Sequence, residues 1–139
     1  MQRLQKVMND CVRFVFGLRR NVHITPYRKR LHLLPVKHRI MHKLCTLAHK
    51  IVNGIAPFYL CDLYQCYTPT SNMTLRYGVG RDNLMLQFVG GELPNKCVFL
   101  KLIDTWNKLP VSLRSVNPVD KFKKQLKTHY FQDAYPETH

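Results

Sequence analysis

Acidic residues are scarce in this sequence: eight Asp and Glu stand among 139 residues, and no two of them are adjacent. Nucleotidyl transfer by two metal ions needs two or three carboxylates that converge on ions about 4 Å apart. The chain also lacks a glycine-rich phosphate loop, a Gly-x-Ser-x-Gly elbow and a His-Glu-x-x-His motif. These absences predict a chain without an active site of its own and without a cofactor.

Long apolar runs and a regular cysteine pattern are lacking too. No stretch approaches the roughly 20 apolar residues of a membrane span, and charges interrupt the N-terminal segment where a signal peptide would be apolar. Five cysteines, an odd number without repeating spacing, do not match a secreted disulfide framework. We therefore expect an intracellular protein, nuclear or cytoplasmic and not secreted, with no membrane span.

Basic residues are abundant and concentrated in the first part of the chain. The 22 Lys and Arg give a formal net charge of +14, and residues 1–60 hold twelve of them against the single acid Asp10. A field of this size is commonly sustained by an anionic partner, which predicts contact with RNA or DNA through the N-terminal half. A surface that serves only solubility and a surface for anionic lipid are the alternatives.

Apolar periodicity predicts a mostly α fold, a small helical bundle with a minor β element. A strand or hairpin is expected around residues 75–91, where an apolar run precedes Gly90-Gly91, and a turn or two of helix is expected after Pro57. Thr25-Pro26 and Asn117-Pro118 read as N-caps with proline at the first helical position. The main helices are expected at residues 2–17, 26–33, 35–53, 95–107 and 118–131.

The elements group into three segments. These are a basic helical lobe at 1–64, a loop and strand segment at 65–94, and a C-terminal helical lobe at 95–139 whose tail frays after Phe131. Apolar residues at helical spacing should form the core, with the only tryptophan as an anchor. The expected core residues are Leu44, Leu47, Ile51, Phe99, Leu102 and Trp106.

Guanidinium and ammonium groups on the first three helices and their connectors are the candidate phosphate contacts, because such groups bind phosphates irrespective of sequence. Aromatic residues are interleaved with them and could stack on an exposed base; core packing of Phe14 and Phe16 is the alternative. The run Arg28-Lys29-Arg30 also resembles a minimal nuclear-localisation cluster. The candidate nucleic-acid-binding residues are Arg3, Lys6, Arg13, Arg19, Arg20, Arg28, Lys29, Arg30, Lys37 and Arg39, and the interleaved aromatic residues are Phe14, Phe16, His23 and Tyr27.

Four potential metal ligands share one helical face: His38, His42, Cys45 and His49, spaced by four, three and four residues. With Cys61 and Cys66 downstream they include enough nitrogen and sulfur atoms for a tetrahedral zinc. Four ligands along a single helix cannot converge on one ion, however, so no metal is predicted. The preferred interpretation is a polar helix edge whose histidines gain charge near phosphate, with Cys45 packed as a small apolar residue.

Several short phrases, in this order and spacing, resemble the end of LINE-type (non-LTR) retrotransposon reverse transcriptases of the Jockey and chicken-repeat kind. The resemblance covers nearly the whole chain, although residues 72–96 match only loosely. The phrases are LQKV from Leu4, RFVFGLRR from Arg13, TPY from Thr25, LPVKHR from Leu34, NGIAPFYL from Asn53, YTP from Tyr67, TWNKLP from Thr105 and FKKQLK from Phe122.

The resemblance implies a helical thumb, followed by a C-terminal extension, that grips the backbone of a template-primer duplex without reading its sequence. The catalytic aspartates of the palm and the endonuclease lie upstream in that family, so the resemblance implies no polymerase activity here. The start at Met1 indicates a truncated element copy, a gene-model fragment or a co-opted piece. Ordinary aromatic or aliphatic helix positions stand in the family at His42, Cys45 and His49, which argues further against a metal.

Two rival interpretations belong to other classes. A piece separated from its palm exposes apolar surface, so it can act as a helical protein-protein interaction module, bind an upstream polymerase palm or self-associate. Its basic amphipathic first helix could instead attach to anionic membranes from one side. An inert relic of a truncated element is the remaining alternative.

Overall fold

A computed structural model describes residues 2–66, 83–86 and 98–136 of the chain. That part is mostly helical, as the periodicity predicts, and none of its helices is long and apolar enough to cross a membrane. Its elements are α1 (Gln2–Phe16), α2 (Thr25–Arg30), α3 (Val36–Val52), α4 (Phe58–Cys61), β1 (Tyr64–Cys66), β2 (Leu84–Leu86), α5 (Val98–Asn107), α6 (Val111–Arg114) and α7 (Val119–Ala134).

The starts of α2 and α7 differ by one residue from the capping pattern predicted for them. Helix α2 begins at Thr25 itself, and Ile24, which makes no side-chain cap hydrogen bond, is its N-cap residue. The Pro118 carbonyl accepts the amide of Phe122, so Pro118 rather than Asn117 precedes the first turn of α7. Proline therefore marks both starts, but the side-chain caps expected from Thr25 and Asn117 are wrong.

Three helices end in the same backbone arrangement, the Schellman motif. At the end of α1 the Leu18 amide donates to the Arg13 carbonyl at 2.9 Å and the Gly17 amide to Phe14 at 3.2 Å. Gly54 ends α3 in the same way, and both glycines have positive φ angles, +60° and +67°. His32 takes the corresponding position after α2 with φ +50°, which stops that helix earlier than the predicted residue 33.

We expect Gly54→Ala to destabilise the chain by about 1 to 2 kcal/mol, the cost of a left-handed conformation for a residue with a Cβ atom. An added Cβ would meet nothing within 4 Å, so the backbone conformation alone sets that cost. Urea unfolding followed by circular dichroism measures it. Gln132→Ala, at an exposed helical position of α7, is the control and should be nearly neutral. Equal stability of the two variants would contradict the assignment.

The described strands form one antiparallel pair, with Tyr64 opposite Leu86 and Cys66 opposite Leu84. Strand β2 lies inside the predicted range 75–91; Asn83 precedes it outside any strand, and residues 75–82 and 87–91 lie outside the described part. Strand β1 was not predicted. The Asn107 side chain on α5 holds β2 from outside the pair: it accepts the Leu84 amide at 3.0 Å and donates to the Leu84 carbonyl at 3.2 Å.

Two compact units divide the chain: unit 1 comprises residues 1–42 with 126–139, and unit 2 comprises residues 43–125. Both α3 and α7 contribute residues to each unit. The predicted limit between residues 94 and 95 lies outside the described part, so the three-segment division stays a prediction.

Three aromatic rings form the centre of unit 2. His49, Trp106 and Phe122 are each at most 1% exposed. The His49 ring stacks on Phe122 with 4.2 Å between centroids, and Trp106 lies edge-on to His49 at 6.3 Å. His49 Nε2 donates to the Val116 carbonyl at 2.8 Å, while the Asn53 amide lies 3.3 Å from Nδ1. The Nε2–H group of this buried ring therefore has an acceptor inside the core.

Part of the predicted core is corrected by this arrangement. Ile51, Leu102 and Trp106 are buried as expected, but Leu44 and Leu47 are only half-buried and Phe99 is 37% exposed. In unit 2, α3 buries three residues besides Ile51 that were not on the predicted list: Cys45, Ala48 and His49. Small residues admit close packing here, since the Cys45 thiol lies 3.8 Å from the Thr105 carbonyl.

Unit 1 has its own buried residues, and they include the C-terminal segment. The Tyr135 side chain is buried, and its hydroxyl donates to the Leu33 carbonyl at 2.8 Å. Burial raises the pKa of Tyr135, which keeps the phenol protonated and able to donate. Helix α7 accordingly continues to Ala134 and does not fray at Phe131. The buried residues are Val12, Ile24, Leu34, Leu126, Tyr130 and Tyr135.

Candidate nucleic-acid interface

All ten predicted phosphate-binding residues lie in unit 1. They are every Lys and Arg of residues 1–42, and with Lys127 they make eleven basic residues against three acids, a net charge of +8 on that unit. Both of its described acids have cationic or titratable neighbours, because Asp10 lies 3.3 Å from Arg13 and Asp133 lies 3.0 Å from His38. Little negative charge is left to offset the basic residues.

Eight of the ten side chains are exposed to solvent, and two are only partly accessible. Arg13 and Arg28 are half-buried, and the Nε atom of each is buried without a hydrogen-bond partner in the described part of the chain. The exposed ones are Arg3, Lys6, Arg19, Arg20, Lys29, Arg30, Lys37 and Arg39.

Aromatic contacts bring the end of α1 next to α2. The rings of Phe16 and Tyr27 lie 5.1 Å apart, and the Arg30 guanidinium lies 5.9 Å from the centre of the Phe16 ring. A guanidinium over an aromatic face gains cation-π attraction and loses some of its freedom. Arg19 and Arg20 follow Gly17 and Leu18, so this region presents three exposed guanidinium groups beside one helix end.

A second basic group adjoins the C-terminal segment. Arg28 and Lys29 lie 5.9 Å and 5.8 Å from the centre of the Tyr135 ring. Arg28 also donates to the Thr25 hydroxyl at 3.3 Å, which ties its guanidinium to its own helix. Lys29 keeps an exposed ammonium group in this pair, whereas Arg28 has a structural role in addition to its charge.

The remaining predicted residues lie along α1 and at the start of α3. Val36, the first residue of α3, donates its amide to the Gln5 side chain at 2.9 Å, and Arg39 lies 3.7 Å from the Met8 sulfur. These contacts place Arg39 beside α1. The ion pair with Asp10 offsets part of the charge of Arg13.

The interleaved aromatic residues fall into different environments. Phe14 is 90% exposed, so it is a surface residue, and His23 is exposed as well. Phe16 and Tyr27 are half-buried and pack on each other, as the core alternative predicts for Phe16. Of the two phenylalanines, only Phe14 offers a free ring to an unpaired base.

The histidine and cysteine positions do not converge on a common point. His38 lies next to Asp133 in unit 1, whereas His49 is enclosed in the core of unit 2. Among the described residues, no group of three or more His, Cys, Asp or Glu could hold a metal ion. The predicted polar helix edge is wrong for His49, which is fully buried and cannot approach a phosphate.

Helix α1 has an exposed apolar face. The periodicity of this helix predicts an apolar stripe, but Val12 is its only buried residue and Leu4 and Val7 are 61% and 60% exposed. Beside the stripe lies an open groove of about 530 Å³, whose lining is mostly apolar. The amphipathic pattern shows that an apolar stripe exists, but it does not show whether this chain covers it.

No protein-family model, curated protein or solved structure matches the chain.

Proposed function

We propose that unit 1 binds the phosphate backbone of a nucleic-acid duplex, RNA, DNA or their hybrid, without reading its sequence and without catalysing a reaction. One observation carries the proposal: eight exposed basic side chains belong to a unit whose two described acids are both engaged by a neighbouring basic group or histidine. Such a field attracts polyanions and gains affinity by releasing their condensed counterions.

The arrangement of the basic groups also supports backbone contacts over base readout. Arg19 and Arg20 lie in the segment between α1 and α2, and Lys29 and Arg30 end the short helix α2. Base readout in a major groove usually needs a helix that enters the groove and presents polar side chains to the base edges. Side chains at helix ends and connectors are suited to phosphates, where position and charge decide the contact.

The likeness of the sequence phrases to a reverse-transcriptase thumb supports a template-primer duplex as the ligand. A thumb holds the duplex while other domains perform the chemistry, so a non-catalytic binding role agrees with the scarcity of carboxylates in this chain. The hybrid and RNA duplexes are then the forms expected to bind at least as well as DNA.

Binding of fluorescein-labelled duplexes, followed by anisotropy over a range of salt concentrations, tests the proposal. Contact with about five phosphates of B-DNA gives a plot of log affinity against log salt with a slope near −4 to −5. Affinity should be equal for duplexes of unrelated sequence, because phosphate contacts carry no sequence information.

Two results would contradict this proposal. The first is that the folded protein binds no duplex at low salt. The second is that its affinity for one duplex sequence exceeds that for another by more than about tenfold, which is the discrimination expected of direct base contacts. Circular dichroism of the same sample establishes that it is folded.

A further inference from the structure

The apolar face of α1 is a second surface of unit 1, distinct from the exposed arginines at its C-terminal end. Leu4, Val7, Cys11 and Val15 follow one another at spacings of three and four residues. This spacing keeps them on one side of the helix, along roughly 15 Å of its length. All four are exposed in the structure.

The stripe is one wall of the open groove, and the other wall comes from the residues after α2 and the first turns of α3. Leu31, Leu33, Val36 and Ile40 contribute apolar side chains to that wall. A groove bounded by a helix on one side and open along its length fits the apolar edge of another helix, which is a recurrent mode of peptide recognition. Its volume of about 530 Å³ leaves room for several large side chains.

A basic residue borders this groove. Arg39 is one of the residues that line it. Asp10 is the only acid in α1, and it is paired with Arg13 at 3.3 Å. Because unit 1 as a whole carries a net charge of +8, a helix with acidic flanks is attracted to the groove and a basic helix is repelled.

We propose that this groove binds an amphipathic helix of a partner protein, with an apolar stripe of about three turns and acidic residues on both sides of it. The same charge argues against a second copy of this chain as the occupant. Two copies would each bring a net charge of +14 and would place arginines of the two grooves near each other. The inference is independent of phosphate binding, since it depends on apolar side chains that a duplex backbone does not need.

The test uses the full chain and a fluorescein-labelled peptide of about 18 residues, or roughly five helical turns, with Leu along one stripe and Glu on both flanks. Two control peptides have the same length: one has the same composition in an order that destroys the stripe, and one carries Lys in place of Glu. We expect the first peptide to bind at least about tenfold more tightly than either control, because only it matches both the apolar groove and its charge.

The matched variants compare two pairs of equally exposed apolar residues. Leu4→Ala with Val7→Ala removes two side chains of the groove that are 61% and 60% exposed, and should weaken peptide binding at least about tenfold. Ile55→Ala with Val111→Ala, at 59% and 57% exposure in unit 2, should leave peptide affinity unchanged. Neither pair should alter duplex binding, which separates this inference from the phosphate-binding proposal.

Four outcomes would overturn the inference. In the first, the peptide with the destroyed stripe binds equally well. In the second, the two variant pairs have the same affinity for the peptide. In the third, vesicles of phosphatidylserine and phosphatidylcholine bind the protein but not the Leu4 and Val7 variant, while the peptide binds neither. In the fourth, sedimentation shows dimers that the Leu4 and Val7 variant does not form, which would make a second copy the occupant.

Discussion

Trp106→Ala should destabilise the protein by about 3 to 5 kcal/mol, the usual cost of truncating a large buried ring. Trp106 is 1% exposed and lies 6.0 Å from the Phe122 ring and 6.3 Å from the His49 ring. Alanine would leave a cavity beside the stacked rings of His49 and Phe122, since the surrounding side chains relax only in part. An effect of this size approaches the total stability of a small domain.

Unfolding by urea, monitored by circular dichroism, measures the loss of stability. Fluorescence is unsuitable because Trp106 is the only tryptophan of the chain. The control is Trp106→Phe. Among the described residues the indole Nε1 is buried and has no hydrogen-bond partner, so phenylalanine removes an unsatisfied donor as well as some apolar area. We expect this variant to lose less than about 2 kcal/mol.

The comparison of the two variants decides whether Trp106 is a core anchor. If the alanine variant were nearly as stable as the wild-type protein, the ring cluster of unit 2 would not contribute as described. If the phenylalanine variant lost as much stability as the alanine variant, the indole nitrogen would have a hydrogen-bond acceptor outside the described residues.

The same cluster illustrates what the sequence could and could not predict about the fold. Helices α1, α3 and α7 were predictable because apolar spacing and the residues Gly17, Gly54 and Pro118 mark them locally. The burial of His49 was not, because its main hydrogen-bond acceptor, the Val116 carbonyl, is 67 residues away. Residue type alone classed His49 as polar, whereas its contacts make it part of the core.

The orientation of α3 followed from the same long-range contacts. Leu44 and Leu47 are more apolar than Cys45 and Ala48, yet the two smaller residues are the buried ones. A small side chain lets another segment come close, as the 3.8 Å contact of Cys45 with the Thr105 carbonyl shows. Hydrophobicity predicts that α3 has a buried face. Which face is buried depends on where small side chains of α3 let another segment pack closely.

The candidate interface was predictable in composition and less so in detail. Every Lys and Arg of residues 1–42 is visible in the sequence, and eight of those ten are exposed. The pairing of Asp10 with Arg13 is a local contact three residues apart on α1, but the sequence did not show that Tyr135 packs beside Arg28, because that contact joins distant parts of the chain. These two arginines are therefore less suitable for testing phosphate contact than the exposed ones.

Replacing Arg19, Arg20, Lys29 and Arg30 together with Gln should weaken duplex binding by about a hundred- to a thousandfold, if each lost contact costs up to about 1 kcal/mol. All four side chains are exposed, so the fold should survive the change. Each lost phosphate contact lowers the steepness of the salt dependence by about one, so the slope should fall by roughly three to four. The loss should be the same for every duplex sequence. Anisotropy titrations at several salt concentrations measure both quantities.

The matched control removes the same amount of charge from unit 2 by changing four exposed lysines to Gln: Lys43, Lys101, Lys108 and Lys121. Both variants keep a net charge of +10, four less than the +14 of the natural chain. If overall charge alone attracted the duplex, the two variants would lose affinity equally. A much larger loss in the unit 1 variant is expected, because counterion release depends on which basic groups contact phosphates and not on net charge alone. Equal losses would reduce the proposed interface to a general basic surface, which is the solubility alternative that the composition of the chain also allows.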